Sequence, residues 1–284
     1  MSIKRNDLYR NQNKNAVKQL FQKGHTMTIA IITGASSGMG YEMTMQLDRI
    51  LQRTDEIWLI ARNTKKLKEL KGRIRNNARI IPMDLTDSDS FETFSQLLEL
   101  AKPKIRFLIN CAGFGYMGAV SQIPMEEQIG MIECNCTGLT RMTKLCIPYL
   151  CKNARIIQFA SSAAFVPQPD FAVYAATKAY VFSFSKALAE ELRERQIYVT
   201  SVCPGPVSTE FFNKAEVHGT TLAIKKYVME SPERVVTQAI KDSYLKKRVS
   251  ICGIPMKLFY AMTCIVPDRL ILLIMRFLKI VQGE

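Results

Sequence analysis

A chain of 284 residues that is 48% hydrophobic and 23% charged has the material for a full core and belongs with ordinary globular proteins rather than disordered ones. Its net charge of +14 suits nucleic acid or an anionic surface, but no nucleic-acid-binding signature accompanies it, so solvated charge and attraction to phosphate-bearing ligands account for it better. Two histidines, His25 and His218, leave almost nothing from which to build a Ser-His-Asp triad, a multi-histidine zinc site or a histidine general base. The eight cysteines form no C-x-x-C pair and most lie in apolar runs such as KLCIPYLC. Reduced, packed thiols in a cytoplasmic setting are expected, and Cys134 with Cys136 lacks the second Cys or His cluster that a metal site needs.

Residues 1–26 are polar, carry six Lys/Arg against one acid for a charge of +5, and contain no apolar run of signal-peptide length. Either a mobile N-terminal extension or translation from an upstream start codon is expected there, with a working domain over 27–252. From IAIIT (29–33) onward, short apolar runs alternate with amphipathic segments. The runs continue at 56–61, 79–83, 105–110, 155–160, 197–202 and 248–252, and the helical patterns at 38–52, 64–76, 87–102, 125–151 and 174–195. Strands without polar alternation are buried on both faces, which predicts an α/β fold: one doubly wound Rossmann-type domain with a seven-stranded parallel sheet.

The first run passes directly into TGASSGMG (33–40) and a helical pattern. The glycines Gly34, Gly38 and Gly40 are spaced G-x-x-x-G-x-G. The commoner G-x-G-x-x-G is absent, with Met43 in its last position. The physics is shared: glycines permit a tight turn and let backbone N–H groups approach a pyrophosphate at a positive helix end. The second run ends at Ile60-Ala61-Arg62 with no carboxylate to grip a ribose 2′-hydroxyl. Arg62, with Ser37 and Asn63, instead suits a 2′-phosphate, favouring NADP(H) over NAD(H). Further on, VYAATKAYV sets Tyr174 four residues before Lys178, one turn apart on a helix face. No other tyrosine of the ten has lysine at that spacing.

In order, TGASSGMG, Asp84-Leu85, NCAG (110–113), Asn135, Ser161, Tyr174, Lys178 and PGPVST (204–209) resemble the motifs of the short-chain dehydrogenase/reductase family, over nearly all of residues 27–252. The resemblance implies a catalytic tetrad of Asn135, Ser161, Tyr174 and Lys178. Ser161 is preferred to Ser162 because the family places this serine thirteen residues before the tyrosine, and 174 − 13 gives 161. It also implies that the dinucleotide is held by Gly34, Ser36, Ser37, Gly38, Met39, Gly40, Arg62, Asp84, Leu85, Asn110, Ala112, Gly113, Tyr174, Lys178, Pro204, Gly205, Val207 and Thr209. The chemistry is coherent: reduction of a carbonyl needs a proton donor at the oxygen, and a phenol with an ordinary pKa near 10 works at neutral pH when neighbouring positive charge lowers it. Two departures stand out: Cys111 in NCAG, where many members carry asparagine, and an apolar extension after the last strand.

Phe211, Phe212, Leu222 and Met229 in the segment 206–232, with Phe165, Val166 and Phe171 after the fifth strand, suggest an apolar ketone, aldehyde, fatty-acyl or sterol-like substrate, though each could equally be core. The expected activity is an NADPH-dependent carbonyl reductase. The alternatives are an oxidative hydroxysteroid or alcohol dehydrogenase and a non-catalytic NADP(H)-sensing regulator. A homo-oligomer with a small-molecule carbonyl or alcohol substrate, no nucleic acid and no metal is expected. Residues 253–284 form an apolar, basic extension, the stretch 245–284 carrying seven Lys/Arg against two acids for +5. Its runs LFYAMTCIV (258–266) and LILLIM (270–275) are too short to span a bilayer, and Pro267 suits the first turn of a helix. Packing on the domain is preferred, with a partner subunit or peripheral membrane contact as the other options.

Overall fold

The structure is a computed structural model and describes residues 28–51, 55–209, 211, 215–217 and 229–281, side chains at 275 and 277–281 excepted. The N-terminal extension, His218, Phe212 and Leu222 lie outside the described residues. Seven parallel strands make one sheet: β1 (Thr28–Thr33), β2 (Glu56–Ala61), β3 (Asn77–Pro82), β4 (Lys104–Asn110), β5 (Leu150–Phe159), β6 (Tyr198–Val202) and β7 (Val249–Ser250), in spatial order β3-β2-β1-β4-β5-β6-β7. The order reverses between β1 and β4, and ligands of open α/β sheets bind beyond the strand C-termini at such a switch point. The register sets Thr33 beside both Ile60 and Asn110, so the loops leaving β1, β2 and β4 emerge together.

Successive residues of β1 feed opposite layers. Ala30 and Ile32 join Met43 and Leu47 of α1 (Gly38–Ile50), Leu67 and Leu70 of α2 (Thr64–Lys71) and Val236 and Ile240 of α7 (Pro232–Tyr244). Ile29 and Ile31 join Phe94 and Leu98 of α3 (Ser88–Ala101), Met142 of α5 (Leu139–Cys146) and Leu188 of α6 (Ala172–Glu191). Both faces are covered, which is why the strand sequences lack polar alternation. Helix starts follow side-chain chemistry: Asn63 accepts from Lys66 N at 3.0 Å, Asp87 from Ser90 N at 3.2 Å and Ser231 from Arg234 N at 3.4 Å.

The helical pattern predicted over 125–151 is not one helix. α4 (Met125–Ile132) passes into a π-helical turn (Glu133–Gly138) and then α5, which stops at Cys146. Pro148 lacks an amide hydrogen and clashes with a continuing helix; a 3₁₀ turn (Ile147–Tyr149) intervenes and β5 begins at Leu150. Beyond β7, α8 (Ile254–Thr263) and α9 (Asp268–Val281) follow. Met256, Phe259 and Tyr260 of α8 pack on the domain, with Leu139, Val181 and Phe165. No helix among the described residues is long and apolar enough to cross a membrane.

Candidate active site

The glycine turn and the NCAG turn are pressed together at the ends of β1 and β4. Gly34 has φ +68, and a Cβ on it would lie 2.8 Å from Ala112 Cα, so the position needs glycine on both counts. A Cβ on Gly40 would strike Gly34 O, because the first turn of α1 sits directly on the loop. Thr33 at the end of β1 fixes the neighbouring loop, its Oγ1 accepting from Cys111 N and Ala112 N, each at 3.1 Å. At the α1 N-terminus, Ser37 is the cap residue but its side chain makes no cap hydrogen bond, and no acid occupies the first turn. The helix therefore offers donors and a positive end with no internal anion to satisfy them.

A cleft of about 310 Å³ opens here. Of the predicted dinucleotide residues, Gly34, Ser36, Ser37, Gly38, Met39, Gly40, Arg62, Asp84, Leu85, Ala112, Gly113 and Thr209 line it. Its walls also include Lys66, Cys111, Phe114, Cys134 and Phe211. The acid-poor helix end and glycine cradle fit a pyrophosphate, and the cleft extends past Arg62 and Lys66 on one side and Gly113 on the other. Asn110 is not on its wall: it is buried, with Nδ2 donating to Thr143 Oγ1 at 3.0 Å. Pro204 accepts from Ser162 N at 2.8 Å, Gly205 backs onto Met256 of α8, and Val207 pairs with Glu230 in an isolated bridge.

The tetrad converges beyond Gly113. A Cβ on Gly113 would lie 2.8 Å from Asn135 Oδ1 and 3.2 Å from Lys178 Nζ. Tyr174 and Lys178 sit on the buried face of α6 with Val181 and Leu188. Lys178 Nζ donates to Phe159 O at 2.8 Å and lies 5.6 Å from the centre of the Tyr174 ring. The Tyr174 phenol lies near Ser161, whose Oγ accepts from Ala163 N at 3.1 Å. Asn135, carried on the π-turn, is spent within the protein: Oδ1 accepts from Phe114 N at 3.1 Å, and Nδ2 donates to Phe114 O at 2.9 Å and to Thr177 Oγ1 at 3.0 Å. The extra residue of such a turn shifts a side chain out of the α-helical row, a device frequent at functional sites.

Burial pushes the Tyr174 phenol up to about 12, and the neighbouring Ser161 hydroxyl offsets only part of this. The Lys178 ammonium does not by itself bring the phenol down. Lys178 is shifted below its ordinary value, chiefly because burial disfavours its charge. Burial likewise raises the thiols of Cys111, to about 12, and Cys136, to about 11. They are poor nucleophiles.

Several contributors carry no sequence motif. The Tyr174 ring stacks on Phe171 at 4.3 Å and meets Phe211 at 5.4 Å. A Cβ on Gly115 would collide with Tyr174 Cδ2. Thr177 joins Asn135 to the Tyr174 carbonyl, which accepts from its Oγ1 at 2.7 Å. Phe165, expected at a substrate pocket, packs instead on Tyr260 of α8 at 4.7 Å and Phe182 at 5.6 Å.

Residues 28–218 match the family model described as short chain dehydrogenase. An uncharacterised oxidoreductase of Staphylococcus epidermidis is 30% identical over 64% of this chain and 78% of its own length. A fatty acyl-CoA reductase of Acinetobacter baylyi is 29% identical over 71% and 70%. A short-chain dehydrogenase from Sphingobium yanoikuyae, solved in complex with NADPH, superposes with a TM-score of 0.68 at 27% identity, covering 79% of this chain and 87% of that one. The chain belongs to the short-chain dehydrogenase/reductase family, nicotinamide-dependent oxidoreductases acting between alcohols and carbonyl compounds.

Proposed function

We propose that the protein is an NADP(H)-preferring reductase of apolar ketones or aldehydes, fatty-acyl or sterol-like compounds included. The observation that carries it is the gathering of Ser161, Tyr174, Lys178 and Asn135 in one place, next to Gly113 of the dinucleotide cleft. A nicotinamide cofactor, which Gly34, Gly38, Gly40 and Gly113 would hold in that cleft, would supply the hydride. At the other side of the carbonyl, Ser161 donates to the oxygen as negative charge develops and Tyr174 delivers the proton. Lys178, fixed by the Phe159 carbonyl, places positive charge near the phenol, and Asn135 and Thr177 hold the loop and helix in register.

The cofactor preference is supported by charge. Arg62 stands where an acid would select NAD, and Lys66 shares the cleft wall. The Arg62–Asp84 ion pair is 3.6 Å long with side chains 67% and 38% exposed, a weak pair that a 2′-phosphate can displace. The Sphingobium relative holds NADPH. The substrate class is supported by the aromatic surroundings of Tyr174, where Phe171 and Phe211 pack with Met117 and Met131, and by likeness to a fatty acyl-CoA reductase. Copies would pair through Met125, Ile129 and Ile132, an exposed stripe at i, i+4, i+7 on α4.

The test is titration with NADPH and NADH by nicotinamide fluorescence, then a panel of apolar ketones and aldehydes followed at the nicotinamide absorbance. NADPH preference lost in Arg62→Ala, with turnover reduced about 10²–10⁴-fold in Tyr174→Phe, is the expected result. Tight binding without turnover across the panel would favour the nucleotide-sensing alternative; equal NADH affinity would remove the cofactor assignment.

A further inference from the structure

The C-terminal pair α8–α9 is apolar on more sides than the domain covers. On α8, Met256, Phe259 and Tyr260 face inward. Ile254, Leu258 and Met262 run up the other side at i, i+4 and i+8, and Ile265 follows in the turn after the helix, exposed by 73%, 65%, 39% and 82%. On α9, Ile271 is buried while Leu270, Leu273 and Ile274 are exposed at i, i+3 and i+4. Of the eighteen exposed large apolar side chains among the described residues, seven fall within these 21 positions, 254–274. A soluble surface seldom gathers apolar side chains so densely without something to bury them.

The charge around the patch selects the occupant. Lys257, Arg269 and Arg276 are exposed among these residues, against Asp268 as the sole acid in 253–276. An apolar face bordered by cations is the composition of helices that lie in the interface of an anionic bilayer. Among the described residues neither helix is long and apolar enough to span one. The anchoring of the pair adds a second consideration. Met256 packs against Gly205, and Tyr260 against Phe165, on the 3₁₀ turn immediately after Ser161.

We propose that α8–α9 is a docking surface for an anionic phospholipid bilayer, which it enters to headgroup depth through the Ile254–Leu258–Met262–Ile265 and Leu270–Leu273 faces. Docked so, the catalytic loop lies one helix away from the lipid phase. Only the further consequence, that an apolar substrate is drawn from that phase, rests on the reading given under Proposed function; docking itself does not.

The full chain is mixed with vesicles of phosphatidylcholine alone and of equal parts phosphatidylcholine and phosphatidylglycerol, floated on a density gradient without nucleotide or substrate, at low and high salt. Flotation with the anionic vesicles is expected, weakened by salt. Lys257→Ala with Arg269→Ala should lower the partition coefficient about thirtyfold, at about a fivefold effect per cation. Leu258→Glu, Ile265→Glu and Leu273→Glu together should abolish flotation while thermal melting by circular dichroism stays that of wild type. Flotation absent in wild type, equal on neutral vesicles, or unchanged in both variants overturns the proposal. So does a triple variant that floats normally but falls from dimer to monomer by sedimentation, since the patch would then be a subunit interface. A chain that floats but binds no nucleotide would sink the enzymatic reading and leave the docking surface standing.

Discussion

Gly115 is where the geometry makes its most exposed claim. The residue lies outside every cofactor motif, yet a Cβ there would sit 2.8 Å from Tyr174 Cγ and 3.0 Å from Cε2, with Cδ2 nearer still. Carbon atoms in contact prefer about 3.5–4.0 Å, so Gly115→Ala must drive the ring back by about 1 Å. The ring has nowhere to go: it is 7% exposed, stacked on Phe171 at 4.3 Å and in contact with Phe211. Overpacking of this kind costs about 1–3 kcal/mol, a fall in Tm of roughly 2–10 °C for a chain of this size. A reacting group displaced by about 1 Å loses on the order of 10²-fold in turnover. The assay is steady-state reduction of the best ketone from the panel, alongside NADPH binding by fluorescence. Retained binding with turnover down about 100-fold is expected, because Gly34, Gly38 and Gly40 are untouched. The matched control is Gly72→Ala, where the added Cβ would meet nothing closer than 3.5 Å and φ is −68. It should be neutral or stabilise by about 0.5–1 kcal/mol. Gly115→Ala turnover within threefold of wild type would refute both the contact and the role assigned to the ring position.

Asn135→Ala should be destabilising as well as inactivating, since it leaves the half-buried N–H and C=O of Phe114 without their partner; a fully buried unpaired group costs about 1–3 kcal/mol, so a smaller loss is expected here, read as a lower urea midpoint at unchanged m-value. Asp48 sets the acid limit. Burial pushes its carboxyl up, but Arg75 N, Asn76 N and the Asn76 and Arg75 side chains hold it below the ordinary 3.8. Its stabilisation is therefore present above pH 3.8 and lost as pH falls through the lowered folded value. Asp48→Asn should lower Tm at pH 7, with the gap closing below pH 4, and a gap independent of pH would contradict this. For Tyr174 the sign is opposite. The folded phenol, at about 12, holds its proton after the unfolded chain has released it near 10, so stability falls between pH 10 and 12. Wild type should lose about 1 kcal/mol relative to Tyr174→Phe between pH 9 and 11 in urea unfolding; a constant difference would mean the phenol is not buried in solution.

The local chemistry of this protein was written into its sequence because it depends on near neighbours along the chain. Apolar runs without alternation announce strands covered on both faces, three glycines between a strand and a helix announce an anion-binding turn, and Tyr174 four residues before Lys178 places both on one face of α6. Pro148 is equally legible as the barrier that stops α5, because its missing amide hydrogen overrides the helical period. What the tertiary structure alone decided involves partners far apart in sequence. Thr33 fixes the loop 78 residues away at Cys111, Asn135 is tied to Thr177 across 42, and Gly115 is reserved for a ring carried on α6. Phe165 looks like a pocket residue until the chain brings Tyr260 against it. The raised Tyr174 phenol belongs to this second group, since burial is created only when Phe171 and Phe211 close around the ring. A motif names the groups that react, but their solvation and alignment exist only once distant segments have packed together.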